Sequence, residues 1–515
     1  MPSRERSVKK SYIAAAVLLA LLPVAACFLR LLFDGHFPGD IWPVGSTWND
    51  EVMYYKQVES IVKHDIPHGY FGYNESAAEH LTFGAWTPTI LLPFALWGKV
   101  FGWSFVSPIY CNVVILGLSL AIFAALVKPG LKEACVAFLG LLAFVPLSRY
   151  IFSYMPEISV IAALIILFGL YISVCRKWSY IKEIFIYLIL FSCVIIRPYF
   201  AVLFVLPIIL AFKRQGKERL LNLLGVAMIL SVSLAVYSYL RSKFTAEYYE
   251  DVYACFFDKI CTHSPRIVIK EALGSLQYNG FMVFLYIKNA FTGSDAIGAY
   301  YASFLFFTIL LLVGAIICAI RKNVEKAATY GLLFVGQVLV FLSILVMYNV
   351  FDGYRHIICF IVADLLFIVF YADVSPAYRC VSAAIGVGLF VFFFLVRSDC
   401  PEYYDIPYRH SDDPLRVSFA SDKEITEKKM NLSLGISFEN TVDILIESGA
   451  EIEAAYLVPA GFGISMCEKE YLTLHIGELK SRYLILPRND DIYEQALLEG
   501  WQEKFTNDRL VLLSR

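Results

Sequence analysis

Apolar runs separated by short polar breaks fill the first 396 residues. They lie at about 12–33, 105–127, 131–147, 158–174, 181–196, 200–212, 219–240, 301–320, 328–349, 355–371 and 379–396, and most approach the roughly 18–20 residues that a helix needs to cross a hydrocarbon core. Beyond residue 396 the pattern changes. Ala454–Val458, Tyr471–Ile476, Tyr483–Leu486 and Leu510–Leu513 read as strands, and Glu439–Ser448 and Asp490–Gly500 as helices. The pattern predicts an α-helical polytopic membrane protein with about eleven transmembrane helices over residues 1–396, followed by a small soluble α/β domain over 397–515.

Charge resolves the ambiguous stretches. Short basic loops occur at Lys128–Lys132, Arg176–Lys182, Lys213–Arg219, Arg321–Lys326 and, weakly, at Arg379. If all are cytoplasmic, as the positive-inside rule expects, an even number of crossings joins each neighbouring pair. The run Ile184–Phe212 is then a hairpin turning at Arg197-Pro198, and Thr87–Phe101 is an interfacial helix with Trp86, Trp97 and Trp103 at headgroup level. The basic N-terminal stretch with Arg4, Arg6, Lys9 and Lys10, followed by an apolar run past Cys27, reads as an uncleaved signal anchor. This scheme puts the N-terminus in the cytoplasm. The first loop (34–86), a long segment (241–300) with the short interfacial patch Phe281–Phe291, and the C-terminal domain lie outside, at the cell membrane.

Composition agrees. The chain is 59% hydrophobic and 17% charged, against about 25% charged in ordinary soluble domains. The net charge of −2 hides an asymmetry: residues 397–515 carry 22 acidic and 13 basic side chains, a net −9, which leaves +7 for the rest. No basic block is long enough for nucleic-acid binding. Cys255 and Cys261 share one external segment and are candidates for a disulfide, whereas most other cysteines read as packing residues. His36, His64, His68 and His80 lack compact metal-ligand spacing. Asp364 falls inside a predicted span, where a carboxylate is costly. Asn74 and Asn431 begin sequons, and Gly461-Phe462-Gly463 reads as a turn.

The candidate chemistry sits outside. Trp48-Asn49-Asp50-Glu51-Val52-Met53-Tyr54-Tyr55 follows the first span closely. Adjacent carboxylates at a membrane surface serve as a general base or bind a divalent cation, and they equally suit a helix N-terminus. Ser148-Arg149-Tyr150 with Ser153-Tyr154-Met155-Pro156-Glu157 forms a second polar cluster, and Asp352-Gly353-Tyr354-Arg355-His356 reads as an external turn.

Asp50-Glu51 followed by Tyr54, Tyr55 and Glu59 resembles the motif of GT-C membrane glycosyltransferases of the protein O-mannosyltransferase and aminoarabinose-transferase type. Trp86-Thr87-Pro88 through Lys99-Val100-Phe101-Gly102 is similar to their juxtamembrane helix, Glu157 to an acidic residue in their second external turn, and the soluble tail to their external domain. The first loop departs in detail from the mannosyltransferase pattern. The resemblance implies transfer of a sugar from a polyprenyl-phosphate donor to a glycan, lipid or protein acceptor. Asp50 would be the base, Glu51 would support the acceptor or a metal, Glu157 would position the acceptor or raise the pKa of Asp50 as a nearby like charge, and Tyr54, Tyr55 and Tyr354 would line the substrate. The donor phosphate needs cations, for which Arg355 and His356 lead and Arg149 and Arg197 follow. Each arginine also suits a span end that meets lipid headgroups. The alternatives are a transporter or flippase, or a polysaccharide polymerase, acting on lipid-linked glycans.

Overall fold

The computed structural model describes residues 2–37, 54, 58, 61–62, 71–73, 87–104, 106–244, 264–347, 350–371, 376–396, 406, 455–460, 463–479, 483–506 and 510–515. Fifteen helices among these residues belong to the N-terminal part. They are α1 (Pro2–Ala20), α2 (Leu22–Asp34), α3 (Leu92–Phe101), α4 (Ser107–Val127), α5 (Leu131–Ala143), α6 (Val145–Ile151), α7 (Glu157–Arg176), α8 (Tyr180–Ile196), α9 (Val205–Phe212), α10 (Gly216–Phe244), α11 (Pro265–Thr292), α12 (Ile297–Ile320), α13 (Val324–Met347), α14 (Val350–Tyr371) and α15 (Pro376–Val396). Single 3-10 segments over Pro88–Leu91 and Pro198–Phe204 lead into α3 and α9.

Seven of these helices are long and apolar enough to cross a membrane, and up to nine spans result if the bent pairs α1/α2 (50°) and α5/α6 (72°) each count as one. Both bends carry a proline at the start of the second helix, where a missing N–H interrupts the helical ladder. On α10, Leu220, Leu224 and Met228 are all more than half exposed. At i, i+4 and i+8 they form an outward apolar stripe that water would penalise and lipid accepts. The chain is therefore a helical, multi-pass integral membrane protein. Its central helices are α7 and α14, whose apolar windows are 78% and 94% buried.

Contacts between helix ends define two ends of the bundle. One end collects the C-terminal ends of α4, α7, α9 and α12 and the start of α15, where the five basic stretches of the sequence lie. Ion pairs tie this basic end together: Lys213 to Glu325 at 2.5 Å, Arg214 to Glu183 at 2.5 Å and Arg379 to Glu133 at 3.1 Å. Arg176 donates to the carbonyls of Val127 and Phe370, closing the C-termini of α4 and α14. At the opposite end Leu31, Ile109, Phe152 and Ile406 pack in one cluster.

Two expectations change here. Phe281–Phe291 is part of the 28-residue α11 and is not a separate short patch. Asn279 donates to the Leu345 carbonyl at 2.7 Å, Phe291 meets Phe392 and Phe393, and Gly298 leaves no room for a Cβ against the Tyr286 carbonyl. All three contacts fall at the end opposite the basic loops, so the C-terminal half of α11 packs there. The residues Gly353–His356 are not a turn: they occupy the first turns of α14.

The C-terminal part forms a six-stranded sheet with β1 (Phe71–Tyr73), β2 (Ala455–Ala460), β3 (Gly463–Glu468), β4 (Tyr483–Pro487), β5 (Gln502–Thr506) and β6 (Leu510–Ser514), in the order β1-β3-β2-β4-β6-β5. Strand β1 comes from the first loop and pairs in parallel with β3, Phe71 opposite Ile464. The two helices are α16 (Lys469–His475) and α17 (Asp491–Leu498), the latter capped by the Asp490 carboxylate on the Ile492 N–H. Tyr471–Ile476 is thus helix, not strand. Within α16 only Leu472 is buried, and Ile476 and Leu479 in the turn that follows join it in the core. The expected strands near 454–458, 483–486 and 510–513 and the helix near 490–500 form, while Glu439–Ser448 lies outside the described residues.

Candidate functional site

Local sequence builds a polar cluster at the end opposite the basic loops. Arg197 follows the last residue of α8 and precedes Pro198, whose ring disfavours helical backbone in the residue before it. Arg197 accordingly adopts extended angles (φ −146°, ψ 116°), ending α8 where the sequence places a turn. Its side chain is buried at 1% exposure. Nη2 donates to Glu157 Oε1 at 2.5 Å and Nη1 to the Tyr199 hydroxyl at 3.3 Å. The Tyr199 hydroxyl lies 3.4 Å from His356 Nδ1, with the tautomer deciding which one donates.

Glu157 is the first residue of α7, where a carboxylate favours the positive end of the helix dipole. The turn before it is held by Asn112, a fully buried amide near the start of α4. Asn112 Nδ2 donates to the carbonyls of Tyr150, Ile151 and Ser153 at 3.3, 3.2 and 2.9 Å, and the Ser153 hydroxyl accepts from the Met155 N–H at 2.8 Å. Glu157 is 1% exposed. Arg197 fixes its Oε1, and its Oε2 has no hydrogen-bond partner among the described residues.

The surrounding wall is aromatic. Tyr54 from the first loop is buried and lies within electrostatic reach of Arg197. Helical residues Tyr54, Val58, Ile61 and Val62 share one face, at i, i+4, i+7 and i+8, and belong to or pack against the bundle core. Tyr150 lies within electrostatic reach of Glu157, Tyr300, Tyr354 and Arg355, and the Tyr300 and Tyr354 rings meet edge to face at 5.0 Å. Thr87, before the 3-10 entry to α3, donates to the Ile195 carbonyl at 2.9 Å, fastening the end of the first loop beside Arg197.

The expected residues therefore separate into groups. Glu157, Arg197, His356 and Tyr54 meet in one buried cluster, with Tyr354 and the half-buried Arg355 beside it. Arg197 is engaged by Glu157 and Tyr199, so it positions the carboxylate. Arg149 is likewise buried at 1% exposure on α6. Asp50, Glu51 and Tyr55 lie outside the described residues, as do Cys255, Cys261, Asn74, Asn431, His64, His68 and His80. Among the described residues no three His, Cys, Asp or Glu side chains converge on a metal-sized site. Asn112 and Tyr199 were not expected; a lone amide in an otherwise apolar run was the available signal for Asn112.

No protein-family model, no curated protein and no solved structure matches the chain.

Proposed function

We propose that the chain is a membrane glycosyltransferase that moves a sugar from a polyprenyl-phosphate donor to an acceptor hydroxyl or amine at the extracytoplasmic face. The observation that carries this reading is the Glu157 carboxylate. One oxygen is locked by Arg197, and the other is buried without a donor among the described residues, beside a wall of tyrosines. A buried acceptor atom without a donor is costly, and a sugar or acceptor hydroxyl supplies the missing proton donor. Tyr54 adds to this support. Asp50 precedes it by four residues, and four residues of chain span at most about 14 Å.

In this mechanism Asp50 takes the proton of the acceptor hydroxyl as its oxygen attacks the anomeric carbon. The bond from that carbon to the phosphate oxygen breaks, polyprenyl phosphate leaves, and the anomeric centre inverts. Glu157 orients a hydroxyl, and Glu51 supports the acceptor or, with Asp50, a divalent cation. Arg355 and His356, with Arg149 behind them, oppose the charge that develops on the phosphate.

The topology that goes with this reading has eleven crossings. To the seven long spans and two bent pairs it adds α8 and the segment Pro198–Phe212. Each covers about 26 Å, the second because 3-10 turns rise about 2.0 Å per residue, and slight local thinning of the bilayer accommodates them. The basic end is cytoplasmic, and the Glu157 end and the C-terminal domain are outside.

The test is transfer of a radiolabelled sugar from polyprenyl-phosphate donors in reconstituted vesicles. Asp50→Asn and Glu157→Gln are expected to abolish transfer while inserting normally; full turnover in Asp50→Asn removes the proposed base. One observation favours transport as a second reading: Asp364 is fully buried midway along α14. Substrate flux across vesicles without a change in glycosidic linkage would establish it.

A further inference from the structure

The polar groups in the middle of the bundle are separate from the Glu157 cluster. Thr308 of α12, Gln337 of α13 and Asp364 of α14 each sit about midway along their helices and are buried at 3%, 2% and 0% exposure. Gln337 Nε2 lies 2.7 Å from both Asp364 carboxyl oxygens. Gln337 Oε1 lies 2.9 Å from the Thr308 hydroxyl, which is also 2.9 Å from the Phe304 carbonyl. Asp364 lies eight residues beyond His356 on the same helix, about 12 Å along its axis. An aromatic layer separates the two, with Phe360 packed against Phe200 and Phe304.

A carboxylate at this depth needs a cation or several donors to be stable. Gln337 is its hydrogen-bond donor among the described residues, and the titratable side chain that faces it is Tyr378 of α15. Tyr378 is itself committed to the Leu310 carbonyl at 2.6 Å. No lysine, arginine or histidine contacts Asp364 among the described residues.

The amide of Gln337 allows a second arrangement, because its nitrogen and oxygen exchange places by a half-turn. With the oxygen towards Asp364, a carboxylic acid O–H donates to it. The Gln337 NH2 then donates to Thr308, and Thr308 donates to the Phe304 carbonyl. Every link in that chain has a donor and an acceptor. With the nitrogen towards Asp364, the same three residues serve the carboxylate, and the Thr308 hydroxyl turns to the Gln337 oxygen.

We propose that Asp364, Gln337 and Thr308 form an intramembrane proton-binding site: the ligand is a proton, held on Asp364 as the neutral acid, and its release reverses the hydrogen-bond chain. The balance is one carboxylic acid giving one carboxylate and one proton, with no other bond changed. This does not rest on the glycosyltransferase reading.

Infrared spectroscopy of the full-length protein in lipid reads the site directly, because a protonated carboxyl has a C=O band that a carboxylate lacks. At neutral pH the wild type is expected to show such a band, shifted down in heavy water and missing in Asp364→Asn. Gln337→Met keeps Asp364 and removes its partner, so the band is expected to move to higher frequency. That variant also reads the site if Asp364→Asn does not fold. Absence of an Asp364-dependent acid band at neutral pH overturns the proposal. A band unmoved in Gln337→Met overturns the chain that defines the site.

Discussion

At the basic end Lys213 meets Glu325 at 2.5 Å, with the two side chains 30% and 47% exposed. At the opposite end Arg197 meets Glu157 at the same 2.5 Å, with exposures of 2% and 1%. Arg214 and Glu183 lie between these extremes at 13% and 6%, with the guanidinium resting over Trp178. Separation is equal in all three, so the dielectric around each pair decides what it does. A pair in contact with water gains little and is weakened by salt. A pair removed from water has lost its solvation and depends wholly on its partner. The exposed pairs sew loops together, whereas the buried pair holds a carboxylate in a place where a charge is otherwise unstable. Such a place is either a structural anchor or a prepared binding group, and Glu157 Oε2, which has no hydrogen-bond partner among the described residues, favours the latter.

The sharpest way to break this contrast is to remove one member of the buried pair. Arg197→Met leaves Glu157 charged and uncompensated, and is expected to cost about 3–5 kcal/mol. Thermal unfolding in detergent measures the loss. The double variant Arg197→Met with Glu157→Gln is expected to recover most of it, because no lone charge remains. If Arg197→Met unfolds no more easily than a variant of Lys213, the two ends do not differ in the way burial implies.

A smaller effect is expected at Asn112, which reaches three carbonyls of the turn before Glu157 from a different helix. Asn112→Ala leaves those buried carbonyls without that donor, a loss of about 1–3 kcal/mol. Asn112→Asp is expected to be worse, since a carboxylate turns lone pairs towards carbonyl oxygens. Thermal midpoints of the two variants check the order. Equal stability in the alanine and aspartate variants would mean that the turn is held by its own backbone.

How much of this was legible in the sequence depends on the length scale. Apolar runs with basic punctuation locate most of the helices and the end shared by the five basic loops, because span length and loop charge are local properties. The break at Arg197-Pro198 is also local, since proline acts on its neighbour. Partnership is not. Nothing near Arg197 in the chain announces that Glu157, forty residues earlier, will pair with it. Gly353–His356 read as a turn because glycine and polar residues precede an apolar run, yet the helix begins earlier and its first turns carry them. Tyr471–Ile476 failed for a different reason: its alternation suits a strand, yet residues 471–475 form a helix in which Leu472 alone is buried. The strand Phe71–Tyr73 joins a sheet whose other strands begin almost four hundred residues later, a long-range pairing that no short pattern specifies.

The smallest expected effect belongs to Lys213. Its pair with Glu325 is partly open to solvent, so Lys213→Ala is expected to cost no more than about 1 kcal/mol. What distinguishes it is its response to salt. Ions screen an exposed pair over about 8 Å at physiological strength, so the difference between wild type and Lys213→Ala should vanish as salt is raised. The difference between wild type and Arg197→Met should persist, because ions do not enter a fully buried site. Unfolding midpoints of both variants across a salt series therefore measure the contrast between the ends directly. If both differences fall together, water reaches the Glu157 cluster, and its carboxylate is then an exposed surface group and not a prepared buried one.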